Sequence, residues 1–282
     1  MSNQFSIVLA GGGCRTFWNI GVLRELQDLL PPPREWAGVS AGSAMAVITA
    51  AGKVDEAMDA FLEATAKNPR NFYPSRVFGE EPAFPHENMY RGVLRQALSN
   101  GGFERLKNGP LVRILLAFVD RGQPPLRTAF GAMRAYSKRK KTHIVHGPEQ
   151  PHPGLGAEVR TAQEAASADE VIDHILYSSA TPPVTRVPRI DGRTYIDGGF
   201  VDNVPVRALS EQARAGKVLV LLTRPVPEQH LPQSETRLYL GPEQPTPIQK
   251  WDYTSPEKIR ATYEMGRADA RRFIERVEEF VR

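Results

Sequence analysis

The sequence contains almost no cysteine. Cys14 is its only one among 282 residues, so an internal disulfide is excluded and a thiolate-based zinc cluster is disfavoured. Low cysteine content fits a reducing compartment. We therefore expect a protein without a disulfide framework and without a metal site.

Long apolar stretches are also missing. No run approaches the roughly 20 residues that a membrane-spanning helix needs. Residues 5–10 are apolar but too short for a signal peptide, and no positively charged segment precedes them. These features predict a soluble, cytoplasmic protein. Peripheral contact with a membrane surface stays open as an alternative.

An extreme charge balance is absent. The formal net charge is +4, with 41% hydrophobic and 24% charged residues, which is ordinary for a globular chain and gives no reason to expect a nucleic acid partner. The densest charge run, Lys138-Arg139-Lys140-Lys141, is interpreted as a solvated face. A patch for anionic lipid headgroups is the alternative.

The composition shows no internal repeat and no break between halves. It predicts one domain over residues 1–282, with a variable segment around residues 54–164 that is a candidate lid. Oligomeric state is not indicated by any pattern.

Two strand–helix units are predicted at the start of the chain. Residues 5–10 are typical of a buried strand and lead through Gly11-Gly12-Gly13 into a helix. Residues 36–40 predict a second strand, and residues 41–51 a second helix. Such a unit makes the two strands parallel neighbours. Their carboxyl ends then meet at one crevice, where open α/β sheets hold ligands.

The second turn carries Gly38-Val39-Ser40-Ala41-Gly42. A serine between two glycines, where a strand passes into a helix, is typical of a nucleophile elbow, in which Gly38 and Gly42 leave room for the tight turn. The motif is also common by chance. Ser40 is therefore a candidate nucleophile whose context must decide.

A serine nucleophile needs a base. One hypothesis is a Ser-His-Asp triad, for which His230 is the only histidine after Asp197. Its weakness is that Ser40 follows one strand, whereas the elbow of an α/β-hydrolase follows several. The other hypothesis is a Ser-Asp dyad, because Asp197-Gly198-Gly199 stands where an apolar strand ends.

The loop Gly11-Gly12-Gly13-Cys14-Arg15 has two interpretations. Its backbone amides are suited to hold an oxyanion. The alternative, a dinucleotide-binding fingerprint, is rejected because Thr16 stands where the third glycine belongs.

Taken in order, three motifs resemble the patatin-like phospholipases: Gly11 to Arg15, Gly38 to Gly42, and Asp197-Gly198-Gly199. The resemblance extends to further stretches and leaves out roughly residues 54–164. Those stretches are Gly21-Val22-Leu23, Ala180-Thr181-Pro182-Pro183, Asn203-Val204-Pro205 and Gly266-Arg267-Ala268-Asp269-Ala270.

The resemblance implies an α/β fold, a three-layer α/β/α sandwich with a mainly parallel central sheet. It implies that Ser40 is the nucleophile and Asp197 its base. The implied oxyanion hole is Gly12, Gly13, Cys14 and Arg15, and the elbow and turn glycines are Gly38, Gly42, Gly198 and Gly199. One departure is Thr16, which stands where the family often has glycine or a small residue.

The implied reaction is hydrolysis of acyl esters of phospholipids or related lipids through an acyl-serine intermediate, without metal or cofactor. Two alternatives stay open. One is an acyltransferase that uses the same dyad, and the other is a non-catalytic lipid-binding protein of the same fold.

Patterns elsewhere predict further elements. Helices are predicted over 54–66, 89–98, from Ser167 to Tyr177, over 204–215 with Asn203 as cap, and from Ser255 onward. A loop is predicted over 68–87 and a hairpin at Asp191-Gly192. Residues 111–119 predict a strand or short helix, and residues 217–223 a buried strand.

Overall fold

The computed structural model describes residues 4–77, 81–142 and 144–282. These residues form one eight-stranded sheet with helices on both faces. The predicted α/β class, with three layers and a mainly parallel sheet, is confirmed. The predicted loop over 68–87 includes residues 78–80, and the charge run is followed by His143; all four residues lie outside the described ones.

The first two strand–helix units form as predicted. They consist of β1 (Phe5–Leu9), α1 (Phe17–Leu26), β2 (Glu35–Val39) and α2 (Ala41–Ala50). The strands pair in parallel, with Leu9 opposite Gly38. The glycine-rich loop after β1 and Ser40 after β2 therefore lie at the same edge of the sheet.

The other strands extend the sheet on both sides. They are β3 (Leu111–Val119), β4 (Leu155–Thr161), β5 (Arg189–Ile190), β6 (Arg193–Ile196), β7 (Lys217–Leu221) and β8 (Arg237–Leu240). The order is β5-β6-β3-β2-β1-β7-β8, and β4 pairs with β3 outside that path. The pairs of β1, β2, β3, β7 and β8 with one another are parallel, whereas β3 pairs with β4 and β6 in antiparallel fashion.

The remaining helices cover the two faces. They are α3 (Val54–Ala66), α4 (His86–Leu98), α5 (Gly102–Asn108), α6 (Pro125–Lys141), α7 (Ala168–Ser178), α8 (Glu211–Ala215) and α9 (Pro256–Val281). Alternate residues of β1 point to opposite sides, as a pleated strand requires. Ile7 joins the core under α1, α2 and α9, and Val8 joins the core on the side of α8.

The last helix lies tightly against the first. An apolar stripe on α9, the predicted last helix, includes Ile259 and Phe273 and is buried in the core. A Cβ on Gly266 would collide with the carbonyl oxygen of Trp18, and one on Gly21 with that of Tyr263. Small residues at both positions therefore let the two helix backbones approach closely.

Several predicted elements are confirmed and one is wrong. Ser167 caps α7, its hydroxyl accepting the N–H of Glu170, and β5 and β6 form the predicted hairpin. The predicted helix over 204–215 is wrong. Asn203 donates its amide to the carbonyl of Gly11 instead, and Ser210 caps a helix of only five residues.

Four elements were not predicted: β4, α5, α6 and β8. The first residues of β4 belong to a stretch rich in turn-forming residues, and the short β8 follows a stretch rich in proline. Residues 111–119, predicted as strand or short helix, form the central strand β3, because β2, β4 and β6 all pair with it.

Two strands meet end to end on β3. β4 pairs with residues 113–119 of β3, so β2 and β6 share the opposite edge, β2 along residues 111–115 and β6 along residues 117–119. They run in opposite directions, and their carboxyl ends meet beside Leu116. Ser40 follows β2 and Asp197 follows β6, so this pairing brings the two side chains together.

Candidate active site

The elbow after β2 holds Ser40 in an unusual backbone conformation. Its φ is +53°, in the left-handed region that a serine rarely adopts. A Cβ on Gly38 would lie 2.6 Å from the backbone of Ser43, and one on Gly42 would collide with the carbonyl oxygen of Leu9. The two glycines therefore permit the turn that presents Ser40.

Hydrogen bonds fix the elbow to the sheet. The N–H of Ser40 donates to the hydroxyl of Ser178 at 2.7 Å, and that hydroxyl donates to the carbonyl of Leu115 at 2.7 Å. The hydroxyl of Ser43 donates to the carbonyl of Ser40 at 2.6 Å. Two buried hydrogen bonds therefore hold the strained conformation of Ser40, and a third ties Ser178 to β3.

The hydroxyl of Ser40 donates to Oδ2 of Asp197 at 3.1 Å. Both residues are 3% exposed. The same Oδ2 accepts the hydroxyl of Thr181 at 3.2 Å and lies 3.5 Å from Nζ of Lys250. Oδ1 accepts the N–H of Gly199 at 2.8 Å. The carboxylate is thereby oriented with one oxygen toward Ser40.

The two turn glycines leave room for this arrangement. A Cβ on Gly198 would lie 2.7 Å from a methyl group of Val39, and one on Gly199 would lie 2.9 Å from Oδ1 of Asp197. Larger side chains at either position would displace the carboxylate or the strand that carries Ser40.

The glycine-rich loop separates into two kinds of amide. Within the described part of the chain, the N–H groups of Gly12 and Gly13 have no hydrogen-bond acceptor. The N–H of Cys14 donates to the carbonyl of Lys250 at 3.1 Å, and that of Arg15 to Gly12 at 3.4 Å. Two of the four predicted oxyanion donors thus have available N–H groups, and the other two hold the loop in place.

Side chains also hold the loop. The hydroxyl of Thr16 donates to the carbonyl of Gly13 at 2.7 Å, so the departure from the small residue of the family adds a bond within the loop. The Cys14 thiol donates to the carbonyl of Asp252. Burial raises the pKa of this thiol, which keeps it neutral and unsuited to attack.

The predicted alternative base, His230, lies on a short exposed turn over residues 228–230. The other described histidines are used elsewhere. His86 contacts the carbonyl of Trp251, and His146 contacts Tyr239 and Val204. The hydroxyl of Ser40 instead meets a carboxylate directly, which favours the dyad arrangement over the triad arrangement.

An apolar pocket lies next to the elbow, because its lining includes Ala41, the residue after Ser40. It encloses about 520 Å³ of space free of protein atoms, partly open to solvent. Four helices, α1 to α4, supply most of its walls. The lining residues are Gly13, Cys14, Thr16, Phe17, Ile20, Ala41, Ala44, Met45, Ile48, Val54, Ala57, Met58, Phe61, Tyr90, Val93 and Tyr253. A hydrocarbon chain is the chemical group that such a lining accepts.

Sequence reasoning missed three residues around Ser40 and Asp197. Thr181 belongs to a stretch that carried the resemblance but was given no role. Ser178 ends α7, and Lys250 lies in an irregular segment before α9. Neither has a local motif. Only the fold brings them to the site, since Lys250 is 53 residues beyond Asp197.

A family model and a solved structure are similar to this chain. The family model described as "Patatin-like phospholipase" matches residues 7–210. Among solved structures, VipD from Legionella pneumophila is similar at 12% identity and a TM-score of 0.48, over 98% of this chain and 67% of that chain. No curated protein matches. Because the family model spans more than half of the 282 residues, the chain belongs to the patatin-like phospholipase family.

Proposed function

We propose that the protein is a serine acyl hydrolase that cleaves lipid acyl esters with Ser40 as nucleophile and Asp197 as its base. Family membership by itself implies a lipid acyl hydrolase in general. The observation that carries the finer assignment is the buried 3.1 Å hydrogen bond between these two side chains. An activated nucleophile requires its base within this reach.

In the proposed mechanism, Asp197 accepts the hydroxyl proton while Oγ of Ser40 attacks the ester carbonyl. The N–H groups of Gly12 and Gly13 bind the oxyanion, an effect of about 3 kcal/mol per donor in comparable sites. The alcohol or lysolipid leaves with the proton from Asp197. Water then attacks the acyl-serine and gives its proton to Asp197. The bond between the acyl carbon and Oγ of Ser40 breaks, Asp197 returns the proton to Oγ, and the fatty acid departs.

The apolar pocket supports the assignment of a lipid ester as substrate, because it can hold the hydrocarbon chain of the acyl group. Ala41, which follows the nucleophile, and Gly13 both line it. An acyl group on Ser40 therefore has a hydrocarbon-compatible space next to the bond that is cut. Helices α3 and α4, from the segment predicted as variable, supply part of its lining.

The test is covalent labelling combined with turnover. A fluorophosphonate probe should label wild type at Ser40, found by peptide mass spectrometry, and wild type should hydrolyse p-nitrophenyl esters over a range of chain lengths. Ser40→Ala should lose both readouts. His230→Ala serves as the matched control and should keep both. A folded but inactive His230→Ala protein would support the Ser-His-Asp triad hypothesis instead. Labelling of a residue other than Ser40 would show that Ser40 is not the nucleophile.

We further propose that α6 contacts anionic lipid surfaces. Its sequence holds six lysines and arginines and no acidic residue, Lys138 and Lys141 are exposed, and Phe130 is 68% exposed. Basic helices with an apolar contact bind such surfaces at about 1 kcal/mol per cation. Within the described residues, no helix is long and apolar enough to cross a membrane.

Vesicle co-sedimentation tests this contact. Lys138→Ala/Lys141→Ala should reduce binding to phosphatidylcholine vesicles containing phosphatidylglycerol, with binding to pure phosphatidylcholine low throughout. Lys67→Ala is the control, since Lys67 is exposed directly after α3, away from α6, and pairs with Glu63. Equal binding by all three proteins would remove α6 from the interface.

A further inference from the structure

A lysine lies directly beside the hydrogen bond between Ser40 and Asp197. Nζ of Lys250 is 3.5 Å from Oδ2 of Asp197, and this is the oxygen that accepts the hydroxyl of Ser40 at 3.1 Å. The ammonium and the nucleophile therefore share one carboxylate oxygen. A positive charge in this position acts on every step that moves charge at the site.

The same lysine also contacts the glycine-rich loop. Its carbonyl accepts the N–H of Cys14 at 3.1 Å. A Cβ on Gly13 would collide with that carbonyl oxygen and would lie 2.7 Å from Cγ of Lys250, so the lysine stem packs directly on Gly13. Because the stem begins at the loop and its Nζ reaches Asp197, the side chain extends from the proposed oxyanion hole to the proposed base.

The ion pair is not needed to orient Asp197. The N–H of Gly199 already binds Oδ1, and the hydroxyl of Thr181 binds Oδ2. The Lys250 side chain is 33% exposed, and ion pairs that are partly exposed add little to stability. The contact of 3.5 Å is also longer than a charge-assisted hydrogen bond of about 2.7–2.9 Å, so the ammonium is held loosely by the carboxylate.

The ring of Trp251 attracts the ammonium as well. Nζ of Lys250 lies 4.6 Å from the centroid of that ring, which is a cation–π contact. Nε2 of His86 contacts the carbonyl of Trp251 at 3.0 Å and so helps to fix this segment. An aromatic face accepts none of the three N–H donors strongly, so they stay available to an anion that forms nearby.

The negative charge changes its position during the proposed reaction. Before the attack it is on Asp197. When the proton passes to Asp197 and the bond from Oγ of Ser40 to the acyl carbon forms, the carbonyl π bond breaks and the charge passes to the ester oxygen. An ammonium that paired with Asp197 alone would stabilise the reactants and slow this step. One that also pairs with the oxyanion stabilises the transition state.

We propose that Lys250 is a third catalytic residue, whose ammonium pairs with Asp197 in the free enzyme and with the oxyanion after Asp197 has accepted the proton. The inference rests on the proposed function and adds a charged donor to the N–H groups of Gly12 and Gly13. It applies to both halves of the cycle, since the attack of water on the acyl-serine moves the charge in the same way.

The first test is the turnover of p-nitrophenyl esters by Lys250→Met, which keeps the length of the side chain and removes its charge. We expect kcat to fall by about 10- to 100-fold, with KM nearly unchanged because the ester is neutral before the attack. Lys250→Arg keeps a cation and should restore part of kcat. Lys258→Met is the control, since Lys258 pairs with Asp252 at 3.8 Å, and it should leave both parameters unchanged.

The direction of the change decides between the two roles of the ammonium. A folded Lys250→Met protein with a higher kcat than wild type would show that the lysine pairs only with Asp197, and it would overturn the proposal. An unchanged kcat would overturn it equally. The melting temperature of each variant verifies that the loss of activity is not a loss of fold.

A second test measures the charged intermediate without turnover. Oγ of Ser40 adds to the carbonyl of 1,1,1-trifluorooctan-2-one, and the adduct carries its negative charge on the former carbonyl oxygen while the proton passes to Asp197. Lys250→Met should weaken inhibition by this ketone by about the same factor as kcat/KM, because the adduct resembles the transition state. If the inhibition constant is unchanged while kcat falls, the ammonium does not contact the oxyanion and the proposal is wrong.

The two tests also separate this inference from the proposed function. An active wild type with an unaffected Lys250→Met variant overturns the role of Lys250 and leaves the hydrolase in place. A wild type that cleaves no ester and is not bound by the ketone overturns the hydrolase and the role of Lys250 together.

Discussion

The crevice around Ser40 has two sides that are built differently. On the side of the elbow, the positions of Ser40 and Asp197 depend on backbone: a positive φ, glycines without room for a Cβ, and buried hydrogen bonds. On the side of the apolar pocket, α2, α3 and α4 contribute exchangeable side chains. Substitutions on the first side should act nearly all-or-none, and those on the second should act gradually.

The largest effect is expected from Asp197→Asn. Asparagine preserves the size of the side chain and an oxygen for the N–H of Gly199, but it cannot accept the Ser40 proton. General-base catalysis contributes about 10²- to 10⁴-fold, so kcat on p-nitrophenyl esters should fall within that range while the melting temperature changes little.

Thr181→Val is the matched comparison for Asp197→Asn. It removes one hydrogen bond to Oδ2 and leaves the base, so a much smaller loss of kcat is expected. If Asp197→Asn retains wild-type turnover, the dyad is wrong.

A pair of glycine substitutions contrasts the two sides through stability. Gly42→Ala places a Cβ against the Leu9 carbonyl and should destabilise the fold by about 1–3 kcal/mol, as overpacking does. Gly92→Ala on α4 meets nothing within 4 Å and should stabilise by about 0.5–1 kcal/mol through helix propensity. Urea unfolding gives both values, and similar values for the two variants would contradict the backbone argument.

Ser178→Ala tests how the elbow is anchored. The substitution leaves the N–H of Ser40 and the carbonyl of Leu115 buried without their shared partner, which should cost about 1–3 kcal/mol in the free energy of unfolding. Ser99→Ala, at an exposed helix end, should change it by less than about 0.5 kcal/mol. Equal losses would mean that the buried bridge is no stronger than a surface contact.

The smallest effects are expected in the apolar pocket. Ala57→Leu narrows it and should shift preference toward shorter esters, and Met58→Ala widens it and should shift preference toward longer ones. Each buried methylene is worth about 0.8 kcal/mol, or about fourfold in kcat/KM. A panel of p-nitrophenyl esters measures the shift, and a uniform change at every chain length would show that the acyl group lies elsewhere.

The sequence predictions are accurate where a structure depends on neighbouring residues and fail where it depends on distant ones. The elbow, the glycine-rich loop and the first two strand–helix units are confirmed as structures because each depends on neighbouring residues. The helix predicted over 204–215 is wrong: residues 206–208 form only a short turn, and the helix begins after Ser210, which caps it. The side chain of Asn203 instead links this segment to the carbonyl of Gly11, 192 residues away in sequence.

Local sequence patterns suffice for the α/β class, the turn that presents Ser40 and the loop that faces it, since turn geometry demands particular residues at adjacent positions. The shared edge of β3, along which β2 and β6 both pair, follows from tertiary packing alone. That pairing brings Ser40 and Asp197, 157 residues apart in sequence, within hydrogen-bond distance. The fold also places Lys250, Thr181 and Ser178 next to them. Strand pairing depends on the packing of the whole sheet, and no local pattern in either strand encodes it.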